Sequence, residues 1–176
     1  MERILLMAKW GKCDFRELEA LRERMAKLES ETDAFCEACA RELAARLLYL
    51  VKKRTPVGTP PQAGGIAPEE QERIRQYWSG YSGGTLRRGW TTGQPVKASG
   101  GWTIEVINNV FYASYVEYGH RQQPGRYVPA LGKQLKQGWV RGKFMLTISQ
   151  KDVERAAPAM LQKKLEEKIR EAMDAE

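Results

Sequence analysis

The sequence predicts an α+β fold in which N-terminal helices and a C-terminal helix pack on a small antiparallel β-sheet, with long loops between them. Three observations predict it. Apolar residues recur every three or four positions towards both ends, alternate with polar residues across the middle, and give way to Pro and Gly in between. A chain of 176 residues buries one proper core. A single domain is therefore expected over 1–176, with an extension over 1–13, a helical region over 14–54, a flexible loop over 55–84, a β-rich centre with a short helix over 85–143, and a C-terminal helix over 144–176.

Asp14 followed by Glu17 makes a capping box, in which each side chain satisfies a free amide of a helix start. Phe15, Leu18, Leu21, Met25 and Leu28 then draw one apolar stripe, predicting a helix over about 14–29. Ser30, Thr32 and Asp33 offer a second cap. Phe35, Cys39, Leu43, Leu47 and Leu50 draw another stripe that ends at Lys52-Lys53-Arg54, cations suited to the negative end of a helix dipole, and Pro56 stops it. Two helices result, and the first, charged around a narrow stripe, reads as an arm that packs on a neighbour.

The segment TPVGTPPQAGGIAP is too rich in Pro and Gly for regular structure. Within the long loop, PEEQERIRQYW predicts a short helix with Pro68 at its first position and acidic residues in its first turn. The loop reads either as a mobile surface insertion or as a segment that orders against a partner.

Strands follow. In TLRRGWTT, Leu86 and Trp90 share a face with Arg88 between them and Arg87 opposite, and WTIEVIN alternates Trp102, Ile104 and Val106 against Thr103, Glu105 and Ile107. Ser99-Gly100-Gly101 supplies a turn that pairs PVKA with WTIEVIN as an antiparallel hairpin, and Asn108-Asn109 closes the next corner. Tyr112, Tyr115, Val116 and Gly119 fit a short helix ending at a glycine, with Tyr112, Ala113, Tyr115 and Val116 locking it to the sheet. RQQPGRYVPALGKQLKQGWVRGKF is basic and lacks a clear period, which suits a long hairpin or an extended loop. From Phe144 the helical stripe returns through Met145, Ile148, Val153, Met160, Leu161, Leu165, Ile169 and Met173, with Ser149 and Asp152 as a cap. Pro158 starts, kinks or interrupts that helix.

Charge is uneven. Lys and Arg outnumber Asp and Glu by 12 to 10 over 1–54 and by 11 to 5 over 55–143, but number 6 against 7 over 144–176, within a whole-chain net charge of +7. A polyanion would be felt by the middle of the chain rather than by its helical ends. No stretch approaches the roughly 18 apolar residues of a membrane span, so no membrane partner is expected. The start has too short an apolar run for a signal peptide, and Cys13, Cys36 and Cys39 lack framework spacing, which suits reduced thiols inside a cell.

The tests for chemistry return little. Cys36 and Cys39 have no second pair or nearby histidine to complete a zinc site. His120 is the only imidazole, and a Ser114-His120-Glu117 arrangement lacks any nucleophile elbow. GGTLRRG lacks the Lys-Ser/Thr end of a phosphate loop. No catalytic residue, cofactor or metal is assigned. What stands out is the run YASYVEYGHRQQPGR, whose tyrosines and arginines suit base stacking and a protein interface equally well.

The ordered motifs TPVGTPP, GGTLRRGWTTG, VINNVFYASYVEYGHR, GRYVP and WVRGKFML resemble the tail-completion or minor tail proteins of tailed bacteriophages and of phage-derived tail particles. The resemblance runs from about Lys9 to Ile148 and is densest over Leu86–His120, whereas QAGGIAPEEQERIRQYWSGYS looks longer than the family loop and the six leading residues look extraneous. It implies a structural part of the virion neck or tail, without enzyme activity, assembled in the host bacterial cytoplasm. It further implies a ring subunit, hexameric, that meets the tail tube, the tail terminator and the head-tail connector, with DNA passing non-specifically through the lumen. On this reading Arg87, Arg88, Tyr115, Glu117, Tyr118, His120, Arg121 and Arg126 mark the subunit or tail interface, with Glu117 paired to Arg88 or Arg121. Lys133, Lys136, Arg141 and Lys143 are the basic residues that face DNA. The alternatives are a basic nucleic-acid-binding protein of a mobile element and, third, a hydrolase built on His120.

Overall fold

The computed structural model describes residues 16–61 and 67–174. The extension over 1–13, Cys13, the Asp14 capping box and Phe15 lie outside the described residues.

The N-terminal region is one helix, not two: α1 runs unbroken over Arg16–Arg54. The second cap does not form, because no Gly or Pro breaks the helix at that point. Ser30 instead donates to the carbonyl of Lys27 at 2.7 Å and Thr32 to that of Leu28 at 3.0 Å, inside the helical ladder. Helix α5 (Met145–Asp174) returns antiparallel along α1. Arg54 bonds Ser149 and Asp152 at one end, Lys164 and Lys168 pair with Glu42 and Glu31 at 2.5 Å further along, and Arg24 reaches the carbonyl of Met173 at the other end. Two long amphipathic helices of limited intrinsic stability thus support each other. Ser149, expected as a cap, sits buried inside α5 and donates to the Met145 carbonyl. Helix α5 neither starts nor stops at Pro158, which is exposed, so the carbonyl its ring deprives of a partner can turn to water.

Between these helices the chain forms α2 (Pro68–Tyr77), as expected, and then a single helical turn, α3 (Thr85–Arg88), where a strand was expected. Leu86 and Trp90 both face inward, and a spacing of four fits a helical turn as well as a strand. The strands pair antiparallel in four two-stranded ladders rather than one sheet. β1 (Trp90–Thr92) pairs with β4 (Val106–Asn108), β2 (Val96–Ala98) with β3 (Gly101–Thr103), β5 (Gly119–Arg121) with β8 (Trp139–Arg141), and β6 (Tyr127–Val128) with β7 (Lys133–Gln134). The PVKA hairpin therefore forms, and the basic segment after Gly119 is a long hairpin turning through a short 3₁₀ turn at Pro129–Leu131. Trp102, Ile104 and Val106 are half-buried while Thr103, Glu105 and Ile107 are exposed, so the alternation in WTIEVIN is realised. The hairpin tip packs on α2: the Trp78 indole donates to the carbonyl of Ala130 at 2.8 Å and Tyr127 donates to Glu70.

The core lies where the C-terminal end of α1 meets α3, β1 and the start of α5, around Val51, Leu86, Trp90 and Met145. Thr55 is fully buried beside it. Its hydroxyl donates to the Val51 carbonyl and accepts the Trp90 indole N–H at 2.8 Å, so one small side chain ends α1 and satisfies the buried indole. Asn108 ties β4 to α3 by donating to the carbonyl of Leu86 at 2.8 Å.

Candidate functional site

The run YASYVEYGHR builds a junction on its inner side and a surface on its outer side. Helix α4 (Ala113–Tyr118) ends at Gly119, whose φ of 88° belongs to glycine. Tyr112, Ala113 and Val116 pack on the core. Glu117 points inward and is only 5% exposed. One of its carboxylate oxygens accepts the backbone N–H of Leu146 at 2.9 Å, and the other accepts the N–H of Thr147 at 2.9 Å and the Thr147 hydroxyl at 2.8 Å. These amides open α5, where free N–H groups and the positive end of the dipole favour an anion. The backbone repeats the link, with Lys143 N–H donating to the Val116 carbonyl at 2.8 Å and Phe144 N–H to that of Glu117 at 3.0 Å. A Cβ on Gly119 would fall on the Val140 carbonyl, and one on Gly142 on the carbonyl of Glu117. The motifs VEYGHR and WVRGKFML are the two sides of this crossing.

The outer side is aromatic and basic. Phe111 is 87% exposed, and Tyr115 and Tyr118 are more than half exposed. On the β5 and β8 ladder Arg121 lies opposite Trp139 and Gly119 opposite Arg141, so Arg121, Trp139 and Arg141 share the outward face. His120 and Val140 share the other face. His120 is half-buried, its ring centroid is 6.0 Å from that of Tyr115, and its Nδ1 is buried without a partner. Lys133 and Lys136 lie on the returning limb of the hairpin, and Lys143 lies at its base.

Several expectations need correction. Glu117 forms no pair with Arg88 or Arg121 among the described residues; it is an internal helix cap, and it is equally spent as the acid of a Ser114-His120-Glu117 arrangement. Arg87 is exposed, but its guanidinium donates twice to the Thr55 carbonyl, at 3.0 and 2.7 Å, and so closes the end of α1. Tyr115 does not lock α4 to the sheet; it is 56% exposed. Arg88, Tyr118, Arg121 and Arg126 are exposed. Sequence reasoning missed Phe111, which stands between Val110 and Tyr112 in an apolar run and carries no local signal of exposure.

A second apolar feature lies between α1 and α5, where Leu43, Ala45, Tyr49, Leu50, Val153 and Ala156 line an open cavity of about 450 Å³. Among the described residues no group of His, Cys, Asp and Glu is arranged to hold a metal ion, and no helix is long and apolar enough to cross a membrane.

An α+β body whose conspicuous features are exposed aromatic and apolar faces has the make-up of an assembly subunit. Residues 19–119, more than half of the chain, match the family model described as "Bacteriophage HK97-gp10, putative tail-component". The chain belongs to this family of phage tail components, and the matched range includes α4 and Gly119 but ends before WVRGKFML. No curated protein and no solved structure gives a significant match.

Proposed function

We propose that the chain is a hexameric ring subunit of the virion neck that completes the tail by joining its tube to the head-side connector. It assembles in the host cytoplasm, meets the tail terminator, and has no chemistry of its own. Family membership supports the tail assignment at its coarser level. The ring reading rests on one observation: Phe111, 87% exposed, is separate from the apolar cavity between α1 and α5. A closed ring joins two different patches of each copy, whereas a two-fold dimer joins a patch to itself. Phe111 of one copy, seated in the cavity of the next, supplies such a heterologous contact.

Light scattering of the chain alone and mixed with tail-tube and connector proteins, followed by imaging of particles made without it, tests this. Headless tails or tubes of uncontrolled length are expected. Particles that mature normally without the chain would overturn the reading.

A further inference from the structure

We infer that the hairpin between β5 and β8 holds the phosphate backbone of duplex DNA, without reading its sequence. This deepens the ring reading and rests on it for the source of the DNA, the channel of the tail.

The distribution of charge carries the inference. Several cations on the helices are neutralised within the chain: Arg41, Arg46, Arg54, Lys164 and Lys168, among others, each pair with a carboxylate. The hairpin is different. Arg121, Arg126, Lys133, Lys136, Arg141 and Lys143 are all exposed, and none forms an ion pair among the described residues. No Asp or Glu occurs anywhere between Tyr118 and Lys151. Charge that serves solubility alone is normally interspersed with both signs, and here one sign occupies the whole hairpin, which meets Glu70 of α2 at its tip.

The shape and lining of the hairpin point to phosphate rather than to a protein surface. Its open concavity, about 830 Å³, is lined by Lys133, Lys136 and three glutamine amides, with Leu131, Leu135 and Pro124 beside them. Lysine is depleted from the centre of protein interfaces, and two lysines stand in this cleft among amide side chains. Ammonium and amide N–H donors are what phosphate oxygens accept from, and such contacts position a duplex without specifying its bases. Arg121 and Arg141, flanking Trp139 on the outward face of the ladder, extend the same surface towards the base of the hairpin. DNA and ring contacts then occupy different parts of the molecule, the hairpin for one and Phe111 with the helix cavity for the other.

The test uses the full chain and a fluorescent random-sequence duplex, with affinity followed by anisotropy across a salt series. Affinity should fall linearly with log salt concentration, each neutralised phosphate contributing about 0.9 to the slope. The pair Lys133→Glu and Lys136→Glu should weaken binding at least tenfold and flatten the slope. The pair Arg155→Glu and Lys163→Glu, an equal change of charge on α5, should change it less than about twofold. Circular dichroism confirms that both variants fold. Equal losses in the two variants, or no binding at low salt, would overturn the inference. So would a hairpin variant that keeps its DNA affinity but no longer co-sediments with tail tubes, because the cleft would then be a docking site for an acidic protein. The two proposals fail separately. Normal particles without the chain, combined with hairpin-dependent DNA binding, sink only the ring. Joined tails with hairpin-independent DNA binding sink only the cleft.

Discussion

Glu117 and Thr147 are bonded twice through one atom: a single carboxylate oxygen of Glu117 accepts both the backbone N–H and the hydroxyl of Thr147, at 2.9 and 2.8 Å. Thirty residues apart in sequence, they fasten the end of α4 to the first turn of α5. Glu117→Gln removes the anion from the helix start and turns a donor group towards amides, so it should destabilise the chain by about 2–3 kcal/mol. Thr147→Val removes one hydroxyl bond and should cost about 1 kcal/mol. Urea denaturation of the two variants checks the order, and a Glu117→Gln protein as stable as Thr147→Val would show that the anion is immaterial.

The crossing beneath Glu117 depends on glycine for space as well as for φ. At Gly119, with φ of 88°, a Cβ would overlap the Val140 carbonyl, while Gly125, with φ of 83°, has open space around it. Gly125→Ala should therefore show the conformational strain alone, about 1–2 kcal/mol. Gly119→Ala should add an overlap of about 1–3 kcal/mol. Thermal melts of the two variants separate these effects, and equal losses would refute the close approach.

The buried pair Thr55 and Trp90 makes a separate prediction. Thr55→Val keeps the shape of the side chain but leaves the Trp90 indole N–H without its acceptor, and an orphaned buried donor costs about 1–3 kcal/mol. Trp90→Phe opens space in the core, but it should cost less in that background than in the parent, because it also removes the orphaned donor. A double-mutant cycle by denaturation measures the difference.

The helical arm responds to pH from both sides. Hydrogen bonding and charge from Lys168 and Lys164 hold the carboxyls of Glu31 and Glu42 below the usual carboxylate range, and the same bonds raise both ammonium groups above theirs. A depressed carboxylate contributes stability that is present above its unfolded pKa and lost as pH falls through the folded one. A raised ammonium contributes stability that is present below its unfolded pKa and lost as pH rises through the folded one. The pairing therefore holds across neutral pH and weakens in acid below about 4 and in base above about 10. These groups are exposed and screened, so the effect is modest and should shrink in high salt. Melting followed at pH 7 and pH 3 should lose less in Glu31→Gln and Glu42→Gln than in the parent chain.

Periodicity revealed the helical stripes, the alternation in WTIEVIN and the glycine that ends α4, because each depends on neighbours within a few residues. The continuity of α1 was legible but overread: Ser30 and Thr32 look like caps, yet no Gly or Pro breaks the chain there, and both hydroxyls stay inside the ladder. The internal roles of Arg87 and Glu117 were not legible. A charged side chain in a motif looks like a contact for a partner, yet each satisfies a helix terminus of its own chain more than twenty-five residues away. Tyr115 and Tyr118, three apart on α4, share its solvent face, so the exposed half of the candidate surface followed from local geometry.

Phe111 and the helix cavity give the ring its sharpest test. Phe111 is 87% exposed and its ring meets that of Tyr112 edge-on, so Phe111→Asp should leave stability within about 0.5 kcal/mol while abolishing self-association and tail joining. Ala45 is exposed and lines the cavity, and Ala45→Glu should do the same from the other side. Neither variant alone can form the contact, because each lacks one half of it. Mixed, they retain one intact pair, the Phe111 of the Ala45→Glu chain and the cavity of the Phe111→Asp chain. A heterologous contact then predicts mixed dimers that stop there, since their outer faces are both spoiled. Analytical ultracentrifugation of the mixture distinguishes this from full rings, which would mean that the contact is dispensable, and from monomers, which would mean that Phe111 and the cavity never meet.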